Sequence, residues 1–320
     1  MVDTPKPDPS VDSPDDDECH DSGVTAALAS LEKTIASKKP SSFPKRALSN
    51  LSPNVVQLPL WPDIQRGVPN HLVRGALFTI GNHRTPRAYR KGMLIDTLNG
   101  VEIIYTGEEL RQSDEDVFLQ VVHLGRLCPL GAPIMFTAHS LLKALCWPSN
   151  SRSYLRLRES LARLQASALE VRTQNGGYSG SLIRDFVWKN DNDTGESDRH
   201  WIVRLEPRIA ALFDHMSYTQ IDWEQRLKLG VLAKWLHAFY YTHRTPYALK
   251  TETIRRLSGS TTRDLSKFRQ LLRKALAELV EVGFLRSQSI CIQTDLVYVQ
   301  RAPSVKTSVI EKNTESSGNA

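Results

Sequence analysis

The chain has 320 residues, room for about two domains of ordinary size plus tails. Hydrophobic residues make up 40% and charged residues 24%, enough to pack a core, while no apolar run approaches the ~18 residues that a membrane span needs, so a soluble protein is expected. Lys and Arg number 41 against 35 Asp and Glu, but residues 1–23 hold eight acids and one base; the rest carries 40 bases against 27 acids, or +13, and favours a polyanionic partner such as nucleic acid.

Residues 1–23 repeat Pro, Ser and Asp, with an acidic run at Asp15, Asp16, Asp17 and Glu18, and cannot bury enough apolar surface to order themselves. Pro and Asp also stand where a signal peptide needs basic residues and then an apolar stretch, so a cytoplasmic location is expected. Val24, Leu28, Leu31 and Ile35 recur at helical spacing and predict a short amphipathic helix over Val24–Lys38. Residues 39–53 are again rich in Ser and Pro, and the last eighteen residues are polar. The expected layout is therefore a disordered acidic region with one short helix over 1–54, a folded body, and a disordered tail over 303–320.

Within the body one order of elements is predicted twice. Asp116–Leu127 reads as a buried helix through Val117, Phe118, Val121, Val122 and Leu124, ended by Pro129 and Gly131. A strand at Ile134–Phe136 follows, then a helix capped by Thr137 and running through Leu145, then a third helix from about Ser151 to Gln165 after the turn Trp147-Pro148-Ser149-Asn150. The run Ala168–Thr173, the turn Asn175-Gly176-Gly177, the strand Leu182–Trp188, the polar loop 189–199 and the strand Trp201–Leu205 read as a β-ribbon. The second copy begins with a long helix from about Trp223 to His243, stopped by Pro246. A helix over Leu249–Leu257 comes next, then a helix of about twenty residues to Val282, capped by Ser260 or Thr261 and ended by Gly283. Phe284–Ser287 and Leu296–Gln300 can pair as a second ribbon. Helix, strand, two helices and a β-ribbon make a winged helix. The expected fold class is α+β and helix-rich, with two tandem winged-helix (helix-turn-helix) domains over 55–215 and 216–302.

In a helix-turn-helix the last helix enters the major groove, so it needs one apolar face and one face of groups that reach phosphates and base edges. In the second copy Leu265, Phe268, Leu271, Leu272, Ala275, Leu276 and Leu279 share one face. Thr262, Arg263, Ser266, Lys267, Gln270, Arg273 and Lys274 lie elsewhere and are its candidate DNA-binding residues. In the first copy Tyr154, Leu157, Leu161 and Leu164 face inward and Arg152, Arg156, Glu159 and Arg163 outward, the three arginines being candidates. Arg and Gln make bidentate contacts to guanine and adenine. A solvated charged face is the competing interpretation of both helices.

Other chemistry lacks a signature. There is no G-x-x-x-x-G-K-[ST], no H-E-x-x-H and no His-x-His pair, so neither a P-loop nor the histidine cluster of a relaxase or rolling-circle initiator is in the sequence. Tyr240, Tyr241 and His243 sit among Leu232, Trp235, Leu236 and Phe239, which fits a helix core better than a nucleophile. Cys19, Cys128, Cys146 and Cys291 are too scattered for a C-x-x-C zinc site or a disulfide framework. No enzyme activity, metal or cofactor is expected.

Several stretches carry a resemblance: Trp61-Pro62-Asp63, Ala76-Leu77-Phe78-Thr79, Ile104-Tyr105-Thr106-Gly107-Glu108-Glu109-Leu110, Leu161-Ala162-Arg163-Leu164-Gln165-Ala166-Ser167-Ala168 and His243-Arg244-Thr245-Pro246-Tyr247. In this order, from about 57 to 300, the chain resembles the TrfA-type plasmid replication initiators. The resemblance implies two winged-helix domains that bind directly repeated iterons in double-stranded origin DNA, help open adjacent AT-rich DNA, and recruit host replication proteins. The implied host partners are the sliding clamp, the replicative helicase and the host initiator; single-stranded origin DNA is a further candidate. It also implies exchange between dimers and DNA-binding monomers. Gln57-Leu58-Pro59-Leu60-Trp61 is similar to the Gln-Leu-x-Leu-Phe peptide by which family members bind the clamp, with Gln57, Leu58, Leu60 and Trp61 as its contact residues; Pro59 and the terminal Trp depart from it, and the segment also fits a lead-in to the first domain. Without the resemblance, a tandem winged-helix transcription regulator that does not melt DNA fits equally well.

Overall fold

The computed structural model describes residues 56–82, 84–98, 101–173, 176–188, 200–213 and 217–303. The helix expected over 24–38, the stretch 39–53, the polar loop 189–199 and the tail beyond 303 lie outside the described residues.

The N-terminal part is richer in strands than its sequence pattern suggests. β1 (Gln65–Pro69) leads into one helical turn, α1 (Asn70–Val73), followed by β2 (Phe78–Thr79), β3 (Tyr89–Leu98), β4 (Val101–Glu108) and β5 (Leu110–Arg111). Then come α2 (Gln112–Gly125), β6 (Ile134–Thr137), α3 (Ala138–Ala144), α4 (Ser151–Ala166), β7 (Ala168–Thr173), β8 (Gly176–Gly180), β9 (Ile183–Val187) and β10 (His200–Leu205). A 3-10 turn, Pro207–Phe213, and β11 (Tyr218–Asp222) lead to α5 (Trp223–Leu227) and α6 (Val231–Tyr241). The chain closes with β12 (Leu249–Lys250), α7 (Thr251–Leu257), α8 (Leu265–Glu281), β13 (Leu285–Ile290) and β14 (Leu296–Arg301).

Two three-stranded sheets have matching layouts. In one, β10 lies between β6 and β9; in the other, β14 lies between β12 and β13. In both cases a short strand precedes two helices and pairs with the last strand of the hairpin that follows them. A separate four-stranded antiparallel sheet has the order β3-β4-β7-β8, β1 pairs with β11, and β2 runs parallel to β5.

The apolar side chains form two clusters. The first surrounds α2, whose Val117, Phe118, Leu119, Val121 and Val122 are all buried, together with the polar Gln112, Asp114, Glu115, Asp116, Gln120 and His123 of the same helix. The second gathers Trp235, Leu236 and Phe239 of α6 with Phe268, Leu272, Leu276 and Leu279 of α8. A polar seam joins them. Arg226 of α5, fully buried, holds Asp116 at 2.7 Å and Glu115 at 3.3 Å, and Lys234 of α6 reaches Asp116 at 2.5 Å. Burial opposes ionisation of Asp116, but Lys234 and Arg226 together keep its pKa below the usual value; burial dominates at Glu115 and raises it. Arg74 donates to the Thr242 carbonyl at 2.7 Å, and the Trp235 indole to the Gly75 carbonyl at 3.3 Å.

Several sequence expectations need correction. The helix expected from Trp223 to His243 is two helices, α5 and α6, broken at Lys228–Gly230, where the Gly230 amide donates to Glu278 of α8 instead of continuing the helix. The helix expected from Asp116 begins at Gln112, because the Asp114 carboxylate accepts the Arg111 amide at 2.9 Å and caps it there. Ala168–Thr173 does not join the ribbon of β9 and β10; it pairs with β4 and β8. Residues 65–111, where the sequence pattern predicts no elements, supply five strands. Gln57–Trp61 is anchored by the Gln57 side-chain amide, which donates to the Arg126 carbonyl at 3.1 Å, and by the burial of Leu58 and Trp61.

Candidate nucleic-acid interface

α8 is amphipathic in the way its sequence predicts, with two corrections. Its cap is neither Ser260 nor Thr261 but Asp264, whose carboxylate accepts from the Ser266 amide at 2.8 Å and the Lys267 amide at 3.4 Å. The Ser260 hydroxyl instead accepts from the Thr262 amide within the preceding turn. Leu271, assigned to the apolar face, is 49% exposed: one step of 100° from buried Leu272 carries it round to the side of Lys267, Gln270 and Lys274. Arg263, Ser266, Lys267, Gln270, Arg273 and Lys274 are exposed and Thr262 is half-buried. The expected set is thus brought together on the turn and the outer faces of one helix.

That turn is built rather than loose. Gly259 ends α7 with φ +64°, and a Cβ there would lie 2.7 Å from Thr79 of β2, so both the backbone and the space require glycine. The Ile80 amide donates to the Ser258 carbonyl at 3.1 Å. Arg255 of α7 donates to the Thr262 and Arg263 carbonyls at 2.9 and 2.6 Å, fixing the chain just before α8 while the Arg263 side chain stays outside. Arg255 was missed by the sequence reading. Asp264 was missed too, although an Asp immediately before the first periodic apolar residue is itself a cap signal.

α4 starts on Asn150, whose side chain accepts from the Ser153 amide at 2.9 Å. Leu157, Leu161 and Leu164 are buried and Tyr154 half-buried, leaving Arg152, Leu155, Arg156 and Glu159 exposed along the first two turns. The Arg156 guanidinium lies over the Trp147 ring at 3.9 Å, a cation–π contact that orients it while leaving its donors accessible. Arg163 does not share this surface. It is 10% exposed and pairs at 3.0 Å with Asp114, a buried carboxylate that also holds Arg87 at 2.6 Å and accepts the Ser160 hydroxyl at 2.7 Å. Its helical spacing points it along the helix toward the α2 cap, and the ion pair keeps it there.

Tyr240 is 1% exposed in the second core, and burial raises its pKa; Tyr241 stacks on Phe284. No group of three His, Cys, Asp or Glu arranged for a metal occurs among the described residues, and no helix there is long and apolar enough to cross a membrane.

A mixed α and β protein with two apolar cores, each carrying one helix that exposes basic side chains, is the class that this geometry defines. A family model described as TrfA protein matches residues 26–301. The plasmid replication initiator protein TrfA of Escherichia coli is 33% identical over 261 residues, spanning 80% of this chain and 67% of that one. The chain belongs to the TrfA family. Two solved structures of domains 2 and 3 of RctB share the fold: one has a TM-score of 0.53 at 12% identity over 74% of this chain, the other 0.52 at 13% over 75%, each matched over 99% of its own length.

Proposed function

We propose that this protein initiates plasmid replication by binding iterons, the direct repeats of an origin, with α4 and α8 as the recognition helices of two winged-helix domains, 55–215 and 216–302. The observation that carries this reading is α8: a capped helix, docked on its own core, with Lys267, Gln270, Arg273 and Lys274 exposed beside Arg263. Family membership supports the initiator role over a regulator that occupies promoter DNA. Phosphate contacts by Arg and Lys supply most of the affinity, a few side chains near the helix starts supply sequence choice, and distortion of the bound DNA favours opening of the adjacent AT-rich segment. No bond-making chemistry is assigned to the protein. The reading places it in the cytoplasm, passing between an inactive dimer and a DNA-binding monomer, and handing opened single-stranded DNA to the host initiator and helicase. Clamp binding through Gln57, Leu58, Leu60 and Trp61 requires Leu58 and Trp61 to leave the first core.

The test is retention of fragments of its own replicon, followed by permanganate footprinting. A direct-repeat array is expected to be retained, with reactive thymines in a neighbouring AT-rich segment. Arg263→Ala and Lys267→Ala should each weaken binding and lower the slope of log K against log salt by about 0.9. A retained promoter without melted thymines would make the protein a regulator, and no selective retention would remove the DNA reading altogether.

A further inference from the structure

The hairpin that follows α8 ends in a five-residue turn, Cys291–Asp295, with an unusual side chain at its tip: Ile292 is 92% exposed. A lone exposed aliphatic residue is ordinarily unremarkable. This one is held in place. The Asp295 carboxylate takes both ends of the Arg269 guanidinium at 2.8 and 3.1 Å, and accepts the Thr251 hydroxyl at 3.0 Å, tying the turn to α8 and to the start of α7 together. The Asp295 carbonyl accepts the Thr251 amide at 3.0 Å, its amide donates to the Cys291 carbonyl at 2.9 Å, and the Cys291 amide donates to the Leu296 carbonyl at 2.9 Å. Asp295 itself adopts φ +55°, a left-handed conformation that Asp tolerates better than most residues.

Arg269 belongs to the second turn of α8, the end that carries Lys267, Gln270 and Leu271, so the tip is pinned beside the cationic half of that helix. Gln293 and Thr294, both exposed, follow Ile292 with hydrogen-bonding groups. With α8 in the major groove, as proposed above, a hairpin tip pinned beside it would face the neighbouring minor groove. Apolar side chains with polar neighbours are the wedges that enter a minor groove and unstack a base step.

We infer that Ile292 is a minor-groove wedge that unstacks one base step next to the site read by α8, while Gln293 and Thr294 bond to the groove edge. The inference rests on the DNA-binding reading above and deepens it, giving one residue the task of distorting the duplex. Removing the side chain loses the wedge contacts and the cost of unstacking together, so it should change shape more than affinity.

The experiment uses the full chain and the replicon fragment it retains, with 2-aminopurine placed in turn at each adenine across and beside one repeat. Wild-type protein is expected to raise the fluorescence at one flanking step. Ile292→Ser should abolish that rise with less than about a tenfold loss of affinity, and Ile292→Leu should preserve it. A rise that persists undiminished in Ile292→Ser, or a wild-type complex with no unstacked step, overturns the wedge. If no complex forms with any replicon fragment, the DNA-binding reading itself has failed, an outcome told apart by the absence of a retained fragment.

Discussion

Trp61 is enclosed on several sides. Its ring lies over Gly67, where a Cβ would come within 2.8 Å of the indole, and stacks on Phe213 with centroids 6.0 Å apart. The indole N–H donates to His123 Nδ1 at 3.0 Å, which requires a neutral imidazole. Burial, with Arg66 and Arg126 alongside, drives the His123 pKa down to about 3, so that lone pair is available throughout the neutral range. Trp61→Ala should therefore cost about 3–5 kcal/mol of stability, read from urea unfolding at pH 7. If Trp61 serves chiefly as a clamp ligand, the variant would instead unfold like wild type and lose only its binding to immobilised sliding clamp. Leu60 is the complementary probe, since it is 53% exposed and available for contact without any unfolding.

Among the elements, α5 decides how the two cores are joined. Arg226 reaches from it to Asp116, Glu115 and Gln112 of α2 and to the Lys234 carbonyl of α6, so a single guanidinium ties three helices. Arg226→Met should destabilise the protein by about 3–5 kcal/mol, because Glu115 would be left buried without its ion-pair partner while Asp116 keeps its pair with Lys234. Adding Glu115→Gln should recover part of the loss, and a single variant within about 1 kcal/mol of wild type in denaturant titration would rule out an energetic role for the network. This seam was not legible in the sequence. Periodicity found α4 and α8 because each has a clear apolar stripe, and it paired β13 with β14, but it drew β7 into the ribbon of β9 and β10 and started α7 two residues early, at Leu249. It joined α5 to α6 because Leu227, Leu229 and Leu232 keep the apolar run going across the break, and a glycine alone does not betray a helix boundary whose stabilising partner, Glu278, is 48 residues away. It passed over β3 and β4 because their paired register carries bulges at Arg90/Met93 and Leu94/Asp96, which spoil a period of two. The candidate interface was legible in composition but not in commitment: Arg152 and Arg163 look alike along the helix, and only the fold reveals that Asp114 claims the second.

At the scale of the whole molecule, charge is distributed along the chain more unevenly than the +6 total implies. Residues 1–23 contribute eight acids and one base, so their removal raises the net charge to +13. A covalently attached polyanion competes with DNA phosphates for the same Lys and Arg side chains and lowers the attraction that steers any duplex toward the protein. That competition is indifferent to base sequence, whereas the base-edge contacts proposed for α4 and α8 are not. Deleting residues 1–23 should therefore strengthen binding to an unrelated duplex several-fold at about 0.05 M salt, and strengthen binding to the cognate repeat by no more than that, so selectivity stays level or falls. The difference should shrink steadily toward about 0.3 M salt, where screening shortens the reach of exposed charges. Equilibrium titration of both duplexes across that range, with the full chain and the deletion variant side by side, measures the effect. Equal affinities for the unrelated duplex at the low-salt end would mean that the acidic segment does not compete for the basic faces, and its charge would then need another partner.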